Sequence, residues 1–240
     1  MLIIVLGILS AFWLPKLNPG KIYLFLNSQA EYRKGNNQVA ARLGEQVINK
    51  DQDFLAVYPV IAGAYERMGE KDKALKYYFD YALRSEKLNN KSRLSDAYIK
   101  LGWLYQSAGQ YAKAQEYYDK AINLSRQLKD KLNEAVALRK VSVWNIDKNN
   151  FETAMELLTK SVAINLEHGK NFEHRKNLAC DYFDIGLVFA NKNDFAAARE
   201  FYEKSRDIFE QLKLKNELSD CYFNLGEICL FEKEYQKAQD

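Results

Sequence analysis

Tyr98-Ile-Lys-Leu101-Gly102-Trp103-Leu-Tyr105, then Gly109-Gln110-Tyr111, then Ala114-Gln-Glu-Tyr-Tyr118 and Ala121, is the stretch from which the rest of the chain can be read. Tyr98, Leu101 and Tyr105 recur at three and four residues, and so do Ala114, Tyr118 and Ala121, which is the rhythm of one face of an α-helix. The pattern stands 40 residues earlier as Tyr58, Ile61, Ala62, Tyr65, Gly69, Ala74 and Tyr78. It returns 40 residues later as Leu138, Val141, Ser142, Asn145, Phe151, Ala154, Leu158 and Ser161. After a spacing of 44 come Tyr182, Ile185, Gly186, Phe189, Phe195, Ala198, Tyr202 and Ser205, and after another 40 come Tyr222, Leu225, Gly226, Cys229, Tyr235 and Ala238. A weaker first copy carries Leu24, Ser28, Gly35 and Ala40. Self-similarity at a fixed period marks a repeat architecture, in which each unit buries its apolar face against its neighbours.

Each copy reads as two helices folded into a hairpin. Gly102 and Ala114, with their equivalents Ala62 and Ala74, Ser142 and Ala154, Gly186 and Ala198, are small where the two helices cross, because a larger side chain pushes the axes apart. The turns read Met68-Gly69-Glu70, Ala108-Gly109-Gln110, Lys148-Asn149-Asn150 and Lys192-Asn193-Asp194, with Gly or Asn where the chain leaves a helix. Only three prolines and eleven glycines interrupt the 240 residues, so the expected class is all-α, with no strand.

The succession of an aromatic, a Leu-Gly pair and a Tyr, then an Ala followed by an aromatic, resembles the tetratricopeptide repeat family over about residues 21–240. The 40-residue period in place of the family's usual 34, and connectors such as Leu128–Ala135 and Leu212–Ser219, resemble the longer-helix variant of kinesin light chains and Pins/LGN scaffolds. The family's closing proline is absent from every copy. The resemblance implies a right-handed superhelical solenoid of antiparallel helix pairs over residues 19–240, about six repeats long. The last repeat stops part-way through its second helix, as in a fragment of a longer chain.

The resemblance also implies that ligands lie along a concave face lined by the first helices. Displaced by about one residue from the packing stripe, that face is expected to present Phe25, Gln29, Tyr32 and Arg33; Gly63, Glu66 and Arg67; Ile99, Trp103 and Gln106; Arg139, Val143 and Ile146; Phe183 and Leu187; Phe223 and Glu227. The partner-binding candidates are Phe25, Gln29, Arg33, Arg67, Ile99, Trp103, Arg139, Val143, Phe183, Leu187, Phe223 and Glu227, because aromatic, aliphatic and Arg side chains are the usual anchors of a binding surface. Trp103 and Arg139 are expected outside the core and so dispensable for stability. Family members that clamp acidic chaperone tails use Lys and Asn where this chain has Phe25, Pro59 and Ile99, so that clamp is not expected. Asn224 matches an Asn that longer-repeat scaffolds set against the ligand backbone.

Lys+Arg 35 against Asp+Glu 32 leave +3 with the signs interleaved, which supplies no basic footprint for nucleic acid. No nucleophile elbow, phosphate loop, dinucleotide fingerprint or HExxH motif is present, so neither catalysis nor a cofactor is expected. Glu116 and Lys120 read as an i, i+4 surface pair. Cys180, Cys221 and Cys229 form no CxxC pair and read as small apolar core residues; His168 and His174 read as solvated loop or helix-end residues, with no metal site.

Met1 to Leu14 carries no charge and is cut off from the repeats by Pro15, Asn18, Pro19 and Gly20, so residues 1–18 are set apart as an anchor or signal-like segment. Lys16, Lys21, Arg33 and Lys34 follow it, which would leave the repeats on the cytoplasmic side of an uncleaved anchor. A cleaved signal and a first buried helix are the alternatives. The expected function is a membrane-tethered scaffold holding a protein or peptide. The alternatives are the sensory segment of a larger signalling protein and a scaffold that self-associates.

Overall fold

The computed structural model describes residues 19–239, all of whose regular elements are helical. The apolar run 1–14 lies outside the described residues, as do the side chains expected at Tyr235 and Ala238. Two compact units divide the chain, one reaching to Leu104 and one beginning at Tyr105. The first holds α1 (Pro19–Lys34), α2 (Asn37–Lys50), a short 3-10 turn (Leu55–Val57), α3 (Tyr58–Arg67), α4 (Lys71–Lys87) and most of α5 (Lys91–Ser107). The second holds the end of α5, then α6 (Tyr111–Leu128), α7 (Lys131–Asp147), α8 (Phe151–Glu167), α9 (Phe172–Asn191), α10 (Phe195–Leu212) and α11 (Lys215–Gln239).

Helices follow one another across short turns, and one local device makes all of them except the links from α2 to the 3-10 turn and from α8 to α9. Gly35, Gly69, Asn89, Gly109, Lys129, Asn149, Asn193 and Lys213 all have φ between 52° and 84°. The residue after each donates its N–H to a carbonyl five residues back, as in Glu70 to Tyr65 at 2.9 Å, Gln110 to Tyr105 at 2.9 Å and Asp194 to Phe189 at 2.9 Å. This is the left-handed termination that satisfies the last carbonyls of a helix and reverses the chain. The expected turn residues Gly69, Gly109, Asn149 and Asn193 are all found in it. Lys129 and Lys213 occupy it without the ease of Gly or Asn, a strain on the order of 1 kcal/mol that tertiary packing overrides.

Within each unit successive helices pack as hairpins. The small positions at the crossings are closed to solvent: Ala62, Ala74, Ala154 and Ala198 are fully buried, and Gly102, Ser142 and Gly186 are buried as well. At Gly186 a Cβ would lie 2.6 Å from Cε1 of Tyr202, so the ring of α10 rests directly on the backbone of α9. Beside the crossings, paired aromatics twelve residues apart fill the gap: Tyr65 on Tyr77 at 5.7 Å, Tyr105 on Tyr117 at 5.5 Å, Phe189 on Phe201 at 5.6 Å. Buried serines tie second helices to first ones, Ser161 reaching Ala135 O at 3.1 Å and Ser205 reaching Ala179 O at 2.8 Å.

Two readings of the sequence need correction. His174 is buried, not solvated, because its ring is drawn into a hydrogen-bond network between α8 and α9 and stacks on His168 at 4.8 Å. Of the cysteines only Cys221 is a core residue; Cys180 is half-buried beside a cleft and Cys229 is exposed. Among the described residues no helix is long and apolar enough to cross a membrane.

The tight seat of Tyr202 on Gly186 makes a direct test of the helix crossing. Gly186→Ala should cost about 1–3 kcal/mol through overpacking, read as a lowered melting temperature with unchanged helical circular dichroism. An unaltered melting temperature would show that the crossing has slack.

Candidate functional site

In the first unit the first helices α1, α3 and α5 carry a continuous set of side chains with fixed partners. The Arg67 guanidinium lies 3.9 Å from the Tyr32 ring centroid and donates from Nη1 to Tyr32 O at 2.9 Å. Tyr32 extends its hydroxyl over Gly63, where a Cβ would approach to 2.7 Å, so the absence of a side chain at 63 is what lets the ring lie there. Further along, Glu66 accepts from Trp103 Nε1 at 2.8 Å and from Tyr78 Oη at 3.2 Å. The carboxylate thereby fixes the half-buried indole, while Arg67 remains exposed. The arrangement offers a partner an aromatic surface and a cation whose rotamers are already fixed, which reduces the entropy lost on binding.

The other candidates of this unit lie apart from that set. Phe25 packs edge-on against Phe54 at 5.0 Å, Gln29 is half-buried and Arg33 exposed. Ile99, expected on the binding face, is 2% exposed and belongs to the core; the one-residue displacement from the packing stripe turns it inward at this point of α5.

The second unit encloses a polar cluster between α7, α8 and α9. Arg139 donates from Nε to Asn177 Oδ1 at 3.1 Å, its Nη1 stands 3.2 Å from Asp184 Oδ2, and its Nε is 3.9 Å from Asp181 Oδ1. Deeper in, Ser161 Oγ is 2.9 Å from both oxygens of Asp181, Asn165 Nδ2 donates to Asp181 Oδ2 at 2.8 Å, and His174 Nδ1 meets Asn165 Oδ1 at 2.9 Å. Asn165 spends its amide protons on Asp181 and Ser161, so the contact with His174 is made by Nδ1–H. Arg139 is therefore not a surface anchor. Its guanidinium is the cation of a buried network, and this corrects the expectation that truncating it would leave stability untouched.

Ser161 has one hydroxyl proton and three acceptors within reach, Ala135 O and the two oxygens of Asp181. If it serves Ala135 as Ser205 serves Ala179, the Asp181 contact is made by a proton on the carboxyl group. Burial pushes Asp181 up to about 7, opposed by Arg139 and by the hydrogen bonds from Asn165 and Ser161. Burial likewise raises Asp184, again against Arg139, and burial, then the neighbouring His168, lowers His174. Of the remaining candidates, Val143, Phe183 and Leu187 are half-buried, Phe183 packing on Tyr202 at 5.3 Å, while Phe223 and Glu227 are exposed on α11. The cluster went unread in the sequence although its signal was there: His174, Asn177, Asp181 and Asp184 follow the same three-and-four rhythm as the apolar stripe.

Hairpins of this kind, stacked at a fixed sequence period, define a helical repeat protein. The tetratricopeptide repeat family matches at residues 93–167 and again at 182–210, so the chain carries tetratricopeptide repeats there. Solved structures share the fold at low identity. The apo form of the quorum sensor NprR from B. thuringiensis is 15% identical, with a TM-score of 0.63 over 90% of this chain and 59% of that one. A Rap protein complexed with competence and sporulation factor is 15% identical, with a TM-score of 0.59 over 90% of this chain and 65% of that one. A putative kinesin light chain repeat protein from Podosopora anserina is 16% identical, with a TM-score of 0.57 over 82% and 99%. No curated protein matches in sequence.

Removing the cation from the buried cluster leaves carboxylates without compensation. Arg139→Met is expected to destabilise the fold by about 3–5 kcal/mol at neutral pH, measured by denaturant unfolding. Asp181→Asn should do the reverse as pH rises. A carboxyl group whose folded pKa is raised stabilises fully below its unfolded value near 4 and loses that contribution as pH climbs through about 7. The melting temperature of Asp181→Asn relative to the parent should therefore increase between pH 5 and pH 8; a constant difference would place the proton elsewhere.

Proposed function

We propose that this chain is a protein-interaction scaffold that captures an extended or helical segment of a partner protein along the first helices of its repeats. The observation that carries the reading is the fixed set on α1, α3 and α5, where the Trp103 indole is held by Glu66 and the exposed Arg67 lies on Tyr32. Large rings and a guanidinium held in place ahead of binding are what a binding hot spot needs. The shared fold with a Rap protein complexed with competence and sporulation factor supports the reading, since a solenoid of this type there accommodates a bound factor.

We further propose that Met1 to Leu14, uncharged and followed by Lys16 and Lys21, tethers the scaffold to a membrane with the repeats on the cytoplasmic side. Tethering confines the partner search to the membrane surface and raises the effective concentration of partners located there.

Both parts are open to measurement. Arg67→Ala and Trp103→Phe should each weaken capture of a cross-linked and identified partner by about tenfold, while the melting temperature of Arg67→Ala stays within a degree or two because the side chain is exposed. Unchanged capture by both variants would move the binding surface elsewhere. The full chain should remain with membranes after a carbonate wash, and its appearance as a shortened soluble product would show cleavage instead.

A further inference from the structure

Tyr202 departs from an arrangement that other copies keep. Twelve residues before the buried tyrosine of the second helix stands its hydrogen-bond acceptor: Tyr78 donates to Glu66 Oε2 at 3.2 Å, and Tyr118 donates to Gln106 Oε1 at 2.9 Å. The residue twelve before Tyr202 is Ala190. The Tyr202 side chain is fully buried and its hydroxyl has no partner among the described residues. A buried phenol without a partner is destabilising, and its oxygen lone pairs are open to a donor.

The second half of the exchange is on α11. Glu66 also receives the indole of Trp103, and the position that corresponds to Trp103 three copies further on, after spacings of 40, 44 and 40, is Glu227. The first helix thus lacks an acceptor at 190, while a carboxylate stands on the next first helix at 227. Beside Ala190 lies a cleft of about 240 Å³. Ala190 and Tyr202 line it together with Asn224, Glu227 and the rings of Phe195 and Phe231, which meet at 4.9 Å. Among the described residues that line it none is cationic, and Glu227, which is exposed, carries their one negative charge.

We propose that this cleft is a binding site for one organic cation, the guanidinium or ammonium head of an Arg or Lys side chain on a bound partner. Such a head donates to the Glu227 carboxylate and the Tyr202 oxygen, and lies against the faces of Phe195 and Phe231, which favour a positive charge. An anionic group would meet Glu227 with no cation among the described lining residues to offset it. The proposal rests on the scaffold reading for the origin of the side chain, but the site itself is testable without any partner.

The experiment is a titration of the isotope-labelled full chain, followed by amide NMR shifts, with Nα-acetyl-arginine amide, Nα-acetyl-lysine amide and the uncharged Nα-acetyl-norleucine amide. At least one cation should give saturable shifts confined to the end of α9, the start of α10 and α11, and the norleucine derivative should give none there. Glu227→Gln should weaken the cation by about tenfold. Ala190→Gln, which restores the acceptor that Gln106 provides, should fill the cleft, abolish the shifts and raise the melting temperature. Absence of saturable shifts with both cations, equal shifts with norleucine, or full binding by Glu227→Gln would each overturn the site. Those outcomes leave partner capture and its loss in Arg67→Ala as they were, whereas capture untouched by Arg67→Ala and Trp103→Phe sinks the scaffold reading and leaves this titration standing.

Discussion

Close approach of two helices at a small residue is the constraint on which the rest of the structure depends. Where Gly186 meets the Tyr202 ring, the backbone of one helix becomes the wall against which the other is seated, and Ala198 beside it is fully buried for the same reason. Once the axes are that close, the side chains on either side of the crossing must be large and flat to fill the remaining wedge, as the Phe189 and Phe201 pair does. The turns between hairpins are equally short, and there Lys129 and Lys213 take the positive φ.

A repeat fixed this tightly leaves few positions where chemistry can vary, and variation collects at the same ones. The residue twelve before the second-helix tyrosine is Glu66, Gln106 or Ala190. The first two satisfy a phenol, and Glu66 also holds Trp103 in place. The third opens a cleft. One slot in the repeat thus supplies an anchor for an aromatic surface in the first unit and a cavity in the second, with no change in the helices around it.

The cluster around Arg139 shows the other way in which polar groups enter such a core. Arg139, Asp181 and Asp184 are held between helices with Asn165, Asn177, Ser161 and His174 completing most of their hydrogen bonds. A buried ion pair is a poor source of stability compared with apolar packing, but one that is broken is strongly destabilising. It penalises any slip of α9 against α7 and α8, since a shift by one residue would leave charges buried alone. The local network therefore fixes the register of three helices that apolar stripes alone would fix less sharply.

The amino-acid sequence by itself determined the helical class, the hairpin unit and most of its turns, because these follow from short-range rules. A three-and-four spacing puts residues on one face, and Gly or Asn relieves positive φ, wherever the segment is placed. Trp103 on the first-helix face and the small residues at the crossings were legible on the same grounds. What the tertiary structure alone decided is which side of each helix is covered by a neighbour. A displacement of one residue on a helix is about 100° of rotation, so Ile99 and Arg139, placed by displacement from the packing stripe, turned inward while Phe223 and Glu227 stayed out. The pairing of His174 with Asn165 and of Arg139 with Asp184 joins residues 9 and 45 apart in the chain, and the empty place opposite Tyr202 exists only because three helices meet there. Contacts between helices depend on their relative rotation and depth, quantities that no single segment contains.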